Sequence, residues 1–181
     1  RRVLFRSLGV ARTFQHVKLV PDMTVLENVA IGAHLRGNSG AISSMLRLDR
    51  ADEAKLLAEA ARQIARVGLS DQIDQLAGSL SLGQQRIVEI ARALCVDPML
   101  LLLDEPTAGM SPEETRTMMD LIVKLARERT VILVEHKMKL VLGISDRILV
   151  LHHGELLAEG TPQEVRQNEA VKRVYLGQRE H

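Results

Sequence analysis

The residues best placed to do chemistry are two adjacent carboxylates, Asp104 and Glu105, which directly follow an unbroken apolar run, Met99 to Leu103. Such a run predicts a strand buried on both faces. Carboxylates at the end of that strand are costly unless a cation or a reaction uses them. In open α/β sheets the carboxyl ends of strands are also where ligands sit. The pair suggests a division of labour, with Asp104 held toward Mg²⁺ and Glu105 orienting or deprotonating a water. An ordinary polar strand end leading into the Pro106 turn is the alternative these residues leave open.

A second candidate lies upstream. Ser81 and Gln84 have the spacing of a capping box, with Gly83 between them, and an amphipathic run follows through Ile87, Ile90, Ala91 and Leu94. The start of that helix presents backbone N–H groups and the positive end of a dipole, which suits an anion. Thr130 to Glu135 predicts a second buried strand, which ends at His136; a structural histidine and a phosphate-facing one are both open from position alone.

The elements that must position these groups follow from local chemistry. Asp97-Pro98 stops the first helix, because proline disfavours helical geometry in the residue before it. Ser111-Pro112-Glu113-Glu114 opens another, with Ser at the N-cap, Pro at the first helical position and acids in the first turn. It runs to about Arg129, and Lys137 to Ile144 is a further helix. Upstream, Thr24-Val25-Leu26-Glu27 starts a helix by the same capping logic, and 51–67 is an alanine-rich helix ended by Gly68. Residues 146–152 and 155–159 pair as a hairpin around His153-Gly154, and Thr161-Pro162-Gln163-Glu164 caps the last helices. His152 and His153 have no acidic or cysteine partners at ligand spacing and read as turn residues.

Taken in order, Leu80 to Gln85, Leu100 to Pro112 and Val134-Glu135-His136 resemble the ATP-binding-cassette (ABC) ATPases, and the likeness extends from Gly9 to Gly177. The resemblance implies an α/β fold, a P-loop NTPase (RecA-like) ABC ATPase core that is incomplete here and carries an inserted α-helical sub-domain. Its ligands would be ATP and Mg²⁺. Asp104 would be the Walker B aspartate and a metal ligand, and Glu105 the catalytic glutamate. Gln15 would be the Q-loop glutamine at the metal's edge, and His136 the switch histidine near the γ-phosphate. Ser81, Leu82, Gly83 and Gln84 would form the signature that meets the nucleotide of the opposite subunit. Gly109 and Ser111 would belong to the D-loop that spans Ala108 to Ser111. Leu82 stands where the usual signature has its first glycine, and Ser111 where many members have an aspartate.

Within the family, Gly9 to Leu19, Met23 to Val29, Glu135 to Val141 and Tyr175-Leu176-Gly177 look like the ATP-binding subunit of branched-chain amino-acid importers. Urea importers and lipopolysaccharide-export ATPases are the alternatives. The implied partners are a second ABC ATPase subunit in a homo- or heterodimer, membrane permease subunits and, indirectly, a periplasmic substrate-binding protein. The implied location is the cytoplasmic face of the inner membrane, as a peripheral subunit.

Composition excludes several other classes. The 181 residues carry 24 Lys and Arg against 23 Asp and Glu, for a net charge of +1, so no clustered basic face argues for nucleic acid. A non-transport ABC ATPase acting on DNA or ribosomes would show heptads or basic arms, and neither is present. Phe5, Phe14 and Tyr175 are the whole aromatic set, too few for base stacking. The single cysteine, Cys95, excludes an intrachain disulfide. No apolar run approaches the roughly 18–20 residues of a membrane-spanning helix.

The expected organisation is 1–7 as a non-native segment resembling a translated sequencing adapter, 8–15 as a strand end and Q-loop, and 16–80 as the helical sub-domain. Residues 81–160 would hold the signature, acid pair and switch histidine, and 161–181 the C-terminal helices. The sequence contains no G-x-x-x-x-G-K-[ST], the loop that cradles phosphates. The expectation is therefore a truncated chain with weak or no ATP binding and marginal folding in isolation.

Overall fold

The computed structural model describes residues 9–13, 19–34 and 50–175. Gln15 lies outside them. The chain divides into two compact units, one reaching to Val134 and one starting at Glu135.

In the first unit, β1 (Val10–Arg12), β2 (Leu100–Asp104) and β3 (Thr130–Val134) form a parallel sheet in that order. The register sets Arg12 opposite Leu102 and Asp104 opposite Val134. Parallel neighbours need long crossovers. Helices α1 (Val25–His34), α2 (Arg50–Arg66) and α3 (Leu82–Leu94) lie between β1 and β2, and α4 (Pro112–Ala126) between β2 and β3. The predicted helix starts are present. Thr24 and Glu27 cap α1 reciprocally, with the Thr24 amide donating to Glu27 Oε2 at 2.7 Å and the Glu27 amide donating to Thr24 Oγ1 at 3.2 Å. Gly68, at φ +81°, follows the end of α2, and Asp97, at φ +47°, follows the end of α3.

Val25, Val29, Ile64, Ile90 and Leu94 are buried among the three helices, and α1 and α3 cross closely at Gly32. A Cβ at Gly32 would lie 2.3 Å from the Arg92 carbonyl oxygen. Buried Asn28 fixes the turn before α1 by accepting from the Val20 amide at 2.8 Å and donating to the carbonyls of Val20, Met23 and Thr24.

The strands differ from the expectation of burial on both faces. In β2, Leu101 and Leu103 are buried while Leu100 and Leu102 are half-buried. In β3, Ile132 and Val134 are 49% and 55% exposed. The apolar runs are there, but within the described residues only alternate side chains are packed over.

The second unit holds α5 (Met138–Ile144), the hairpin β4 (Ile148–His152) and β5 (Glu155–Gly160), then α6 (Pro162–Gln167) and α7 (Glu169–Tyr175). His153 and Gly154, at φ +50° and +84°, make the two-residue loop whose double positive φ matches the strand twist. Ile148, Val150, Val165 and Val171 form its core.

Candidate functional site

Local sequence explains the start of α3. The Ser81 amide donates to Gln84 Oε1 at 3.0 Å and the Gln84 amide donates to Ser81 Oγ at 3.3 Å, closing the predicted capping box. Ser111 and Glu114 form the same box on α4, with the Ser111 amide donating to Glu114 Oε2 at 3.0 Å. The two boxes are joined. Ser81 Oγ donates to Glu114 Oε1 at 2.7 Å, and the Gly83 amide donates to the same oxygen at 3.2 Å. The Ser81 hydroxyl and then the Ser111 amide hold the Glu114 carboxyl below the usual glutamate range against the opposing effect of burial, and the Gly83 amide adds to them. A cleft of about 430 Å³ lies beside this junction, lined among others by Leu69, Gln72, Ser81, Gln84 and Glu113.

Leu82, the departure from the usual glycine, leans on the turn before α4. A Cβ at Gly109 would lie 3.1 Å from Leu82 Cδ2, and Gly109 sits at φ +75°. The extra side chain thus packs over the 108–111 turn, while Gly83 keeps its amide for the carboxylate.

The acid pair is built differently. Asp104 ends β2, and its Oδ2 accepts from Arg12 Nη2 at 3.0 Å across the β1–β2 pairing. A cavity of about 150 Å³ lies beside it, between Arg12, Leu102, Ile132 and Val134. Glu105 takes φ +45°, a left-handed conformation uncommon for a residue with a Cβ. Its amide donates to the Val134 carbonyl at 2.9 Å and its carbonyl accepts from the Ala108 amide at 3.2 Å. Backbone bonds on both sides therefore hold an unfavourable geometry in place, and such outliers concentrate at functional positions.

The structure brings Ser81, Leu82, Gly83 and Gln84 together with Gly109 and Ser111, and sets Asp104 and Glu105 in succession at the end of β2. His136 is exposed, two residues past β3, and falls in the second unit. Sequence reasoning missed Glu114 and Arg12 as partners. The Ser111-x-x-Glu114 spacing signals the cap on α4 but not the reach to Ser81, and only the β1–β2 register places Arg12 near Asp104.

The donor set also limits the metal chemistry. Among the described residues no group of three or more His, Cys, Asp or Glu could cage a metal ion. The two successive carboxylates, Asp104 and Glu105, would suit only an ion that takes most of its ligands from elsewhere.

Comparison with known proteins bears on this arrangement. Residues 3–108 match the ABC transporter family model. Residues 155–181 match a family described as branched-chain amino acid ATP-binding cassette transporter. The high-affinity branched-chain amino acid transport ATP-binding protein LivG of Salmonella typhimurium is 44% identical over 175 residues, covering 94% of this chain and 69% of that protein. BraF of Pseudomonas aeruginosa, named for the same transport, is 42% identical over 174 residues, covering 94% of this chain and 68% of its own. A crystal structure of a nucleotide-free ATP-binding cassette from an ABC transporter aligns with a TM-score of 0.79 at 31% identity, covering 95% of this chain and 70% of that one. The ADP conformation of such a cassette also aligns at 0.79, with 32% identity and coverage of 96% and 70%.

Proposed function

The chain belongs to the ATP-binding subunits of ABC transporters, and from that premise we propose that it energises import of branched-chain amino acids. The observation that carries the substrate class is the match of residues 155–181 to the branched-chain family, a stretch outside the general ABC match.

In this reading Glu105 orients and deprotonates the water that attacks the γ-phosphate. Its held, strained backbone supports that role, since positioning is most of what catalysis of phosphoryl transfer requires. Asp104 and, by the family resemblance, Gln15 would hold Mg²⁺, and the ion would supply charge neutralisation on the phosphates. Arg12 pairs with Asp104 and balances part of its charge. His136 is the residue that the family resemblance assigns to the γ-phosphate. Ser81, Leu82, Gly83 and Gln84 present the start of α3 to the nucleotide of a second ATPase subunit, with Gly109 and Ser111 at the facing turn. The partners are that second subunit and membrane permeases, with a periplasmic binding protein delivering substrate. No described helix is long and apolar enough to cross a membrane; in this reading the subunit is peripheral, on the cytoplasmic face.

The test is uptake of labelled leucine by membranes carrying the full-length protein together with its permease subunits and binding protein. Uptake that depends on MgATP and is competed by isoleucine and valine is expected. MgATP-dependent uptake of a different substrate class, with none of leucine, would sink the assignment.

A further inference from the structure

The start of α3 holds an anion of the chain's own. Glu114 Oε1 accepts from the Ser81 hydroxyl at 2.7 Å and from the Gly83 amide at 3.2 Å, while Oε2 accepts from the Ser111 amide at 3.0 Å. The carboxylate sits directly on the backbone, because a Cβ at Gly83 would lie 2.7 Å from Oε1. Ser81 Oγ and the Gly83 amide are donors that the proposed function offers to the γ-phosphate. Each has one proton to give, so neither can serve both anions at full strength. Two anions at this spacing also repel. The adjoining cleft of about 430 Å³, lined by Gln72, Gln84 and Glu113, gives the side chain somewhere to turn.

We propose that Glu114 is an autoinhibitory stand-in for the γ-phosphate, occupying the start of α3 until the nucleotide of the opposite subunit displaces it. The inference rests on the proposed function, which supplies the incoming anion. Displacement breaks the tie between α3 and α4, so phosphate arrival also frees the two helices from each other. ADP, which has no γ-phosphate, leaves Glu114 in place. Glu114 is then a positioning residue that raises the nucleotide concentration needed for subunit closure.

The test is MgATP-driven association of the whole gene product with its partner subunit, in a Glu105→Gln background that prevents turnover. MgATP binding is followed separately by a fluorescent nucleotide. Glu114→Ala is expected to reach half-maximal association at roughly tenfold lower MgATP. Glu114→Gln keeps the length and the accepting oxygen, so the α4 cap survives, and it is expected to shift the same way by less. ADP should associate neither variant nor parent. A Glu114→Gln requirement at or above that of Glu114 overturns the inference while leaving the function standing. Absence of MgATP binding in every form overturns the function and the inference with it.

Discussion

The two halves of the candidate site satisfy their charges in opposite ways. At the start of α3 a row of donors holds an anion, Glu114, in a geometry that two capping boxes make comfortable. At the end of β2 a carboxylate holds a cation, Arg12, beside a glutamate whose backbone is uncomfortable. The first half is stabilised by the features that would bind phosphate. The second stores cost at the residue proposed to act on water. The proposed phosphate binding thus sits on relaxed backbone, and the proposed positioning of the attacking water sits on strained backbone.

Substitutions can break or sharpen that contrast. The largest effect is expected where α3 is anchored: Gly32→Ala drives a Cβ into the Arg92 carbonyl and should cost about 3 kcal/mol in urea unfolding. Ser81→Ala removes the cap of α3 and one partner of Glu114, so a loss of about 1–2 kcal/mol is expected by the same measurement. Glu105→Gly should move the other way when set against Glu105→Ala, which loses the same side-chain interactions. Glycine relieves left-handed strain and returns part of the gain as chain entropy, so it should be about half a kcal/mol the more stable of the two. Glu105→Gly less stable than Glu105→Ala would show that the backbone at Glu105 is not strained.

The smallest effect is a pH dependence. Hydrogen bonds depress the folded-state values of Glu114, Glu27 and Glu164. Their contribution is therefore fully present above the unfolded-state value, about 4.3, and is lost as pH falls through the lower folded values. NMR titration should place the Glu114 midpoint below that of an unstructured glutamate. A midpoint at or above it would remove the bonds from Ser81 and Gly83.

What was legible in the sequence follows the same division. Ser81 with Gln84, Thr24 with Glu27 and the His153-Gly154 turn are local patterns, and each appears where its spacing put it. The Arg12–Asp104 pair and the reach of Glu114 to Ser81 join residues 92 and 33 positions apart. No local pattern encodes such pairs, because they depend on strand register and on how α3 meets α4. The positive φ at Glu105 was equally hidden, since nothing about an acid before proline announces a left-handed backbone. Burial of β3 was overestimated because an apolar run reports what a strand is able to bury, not what covers it.

The most direct test is single-turnover hydrolysis of MgATP by the assembled transporter, comparing the parent with Glu105→Gln. Retained MgATP binding with hydrolysis slowed about 10²–10⁴-fold is the expected result for loss of a positioned base. Unchanged hydrolysis would remove Glu105 from the chemistry and leave its backbone geometry without a functional reason.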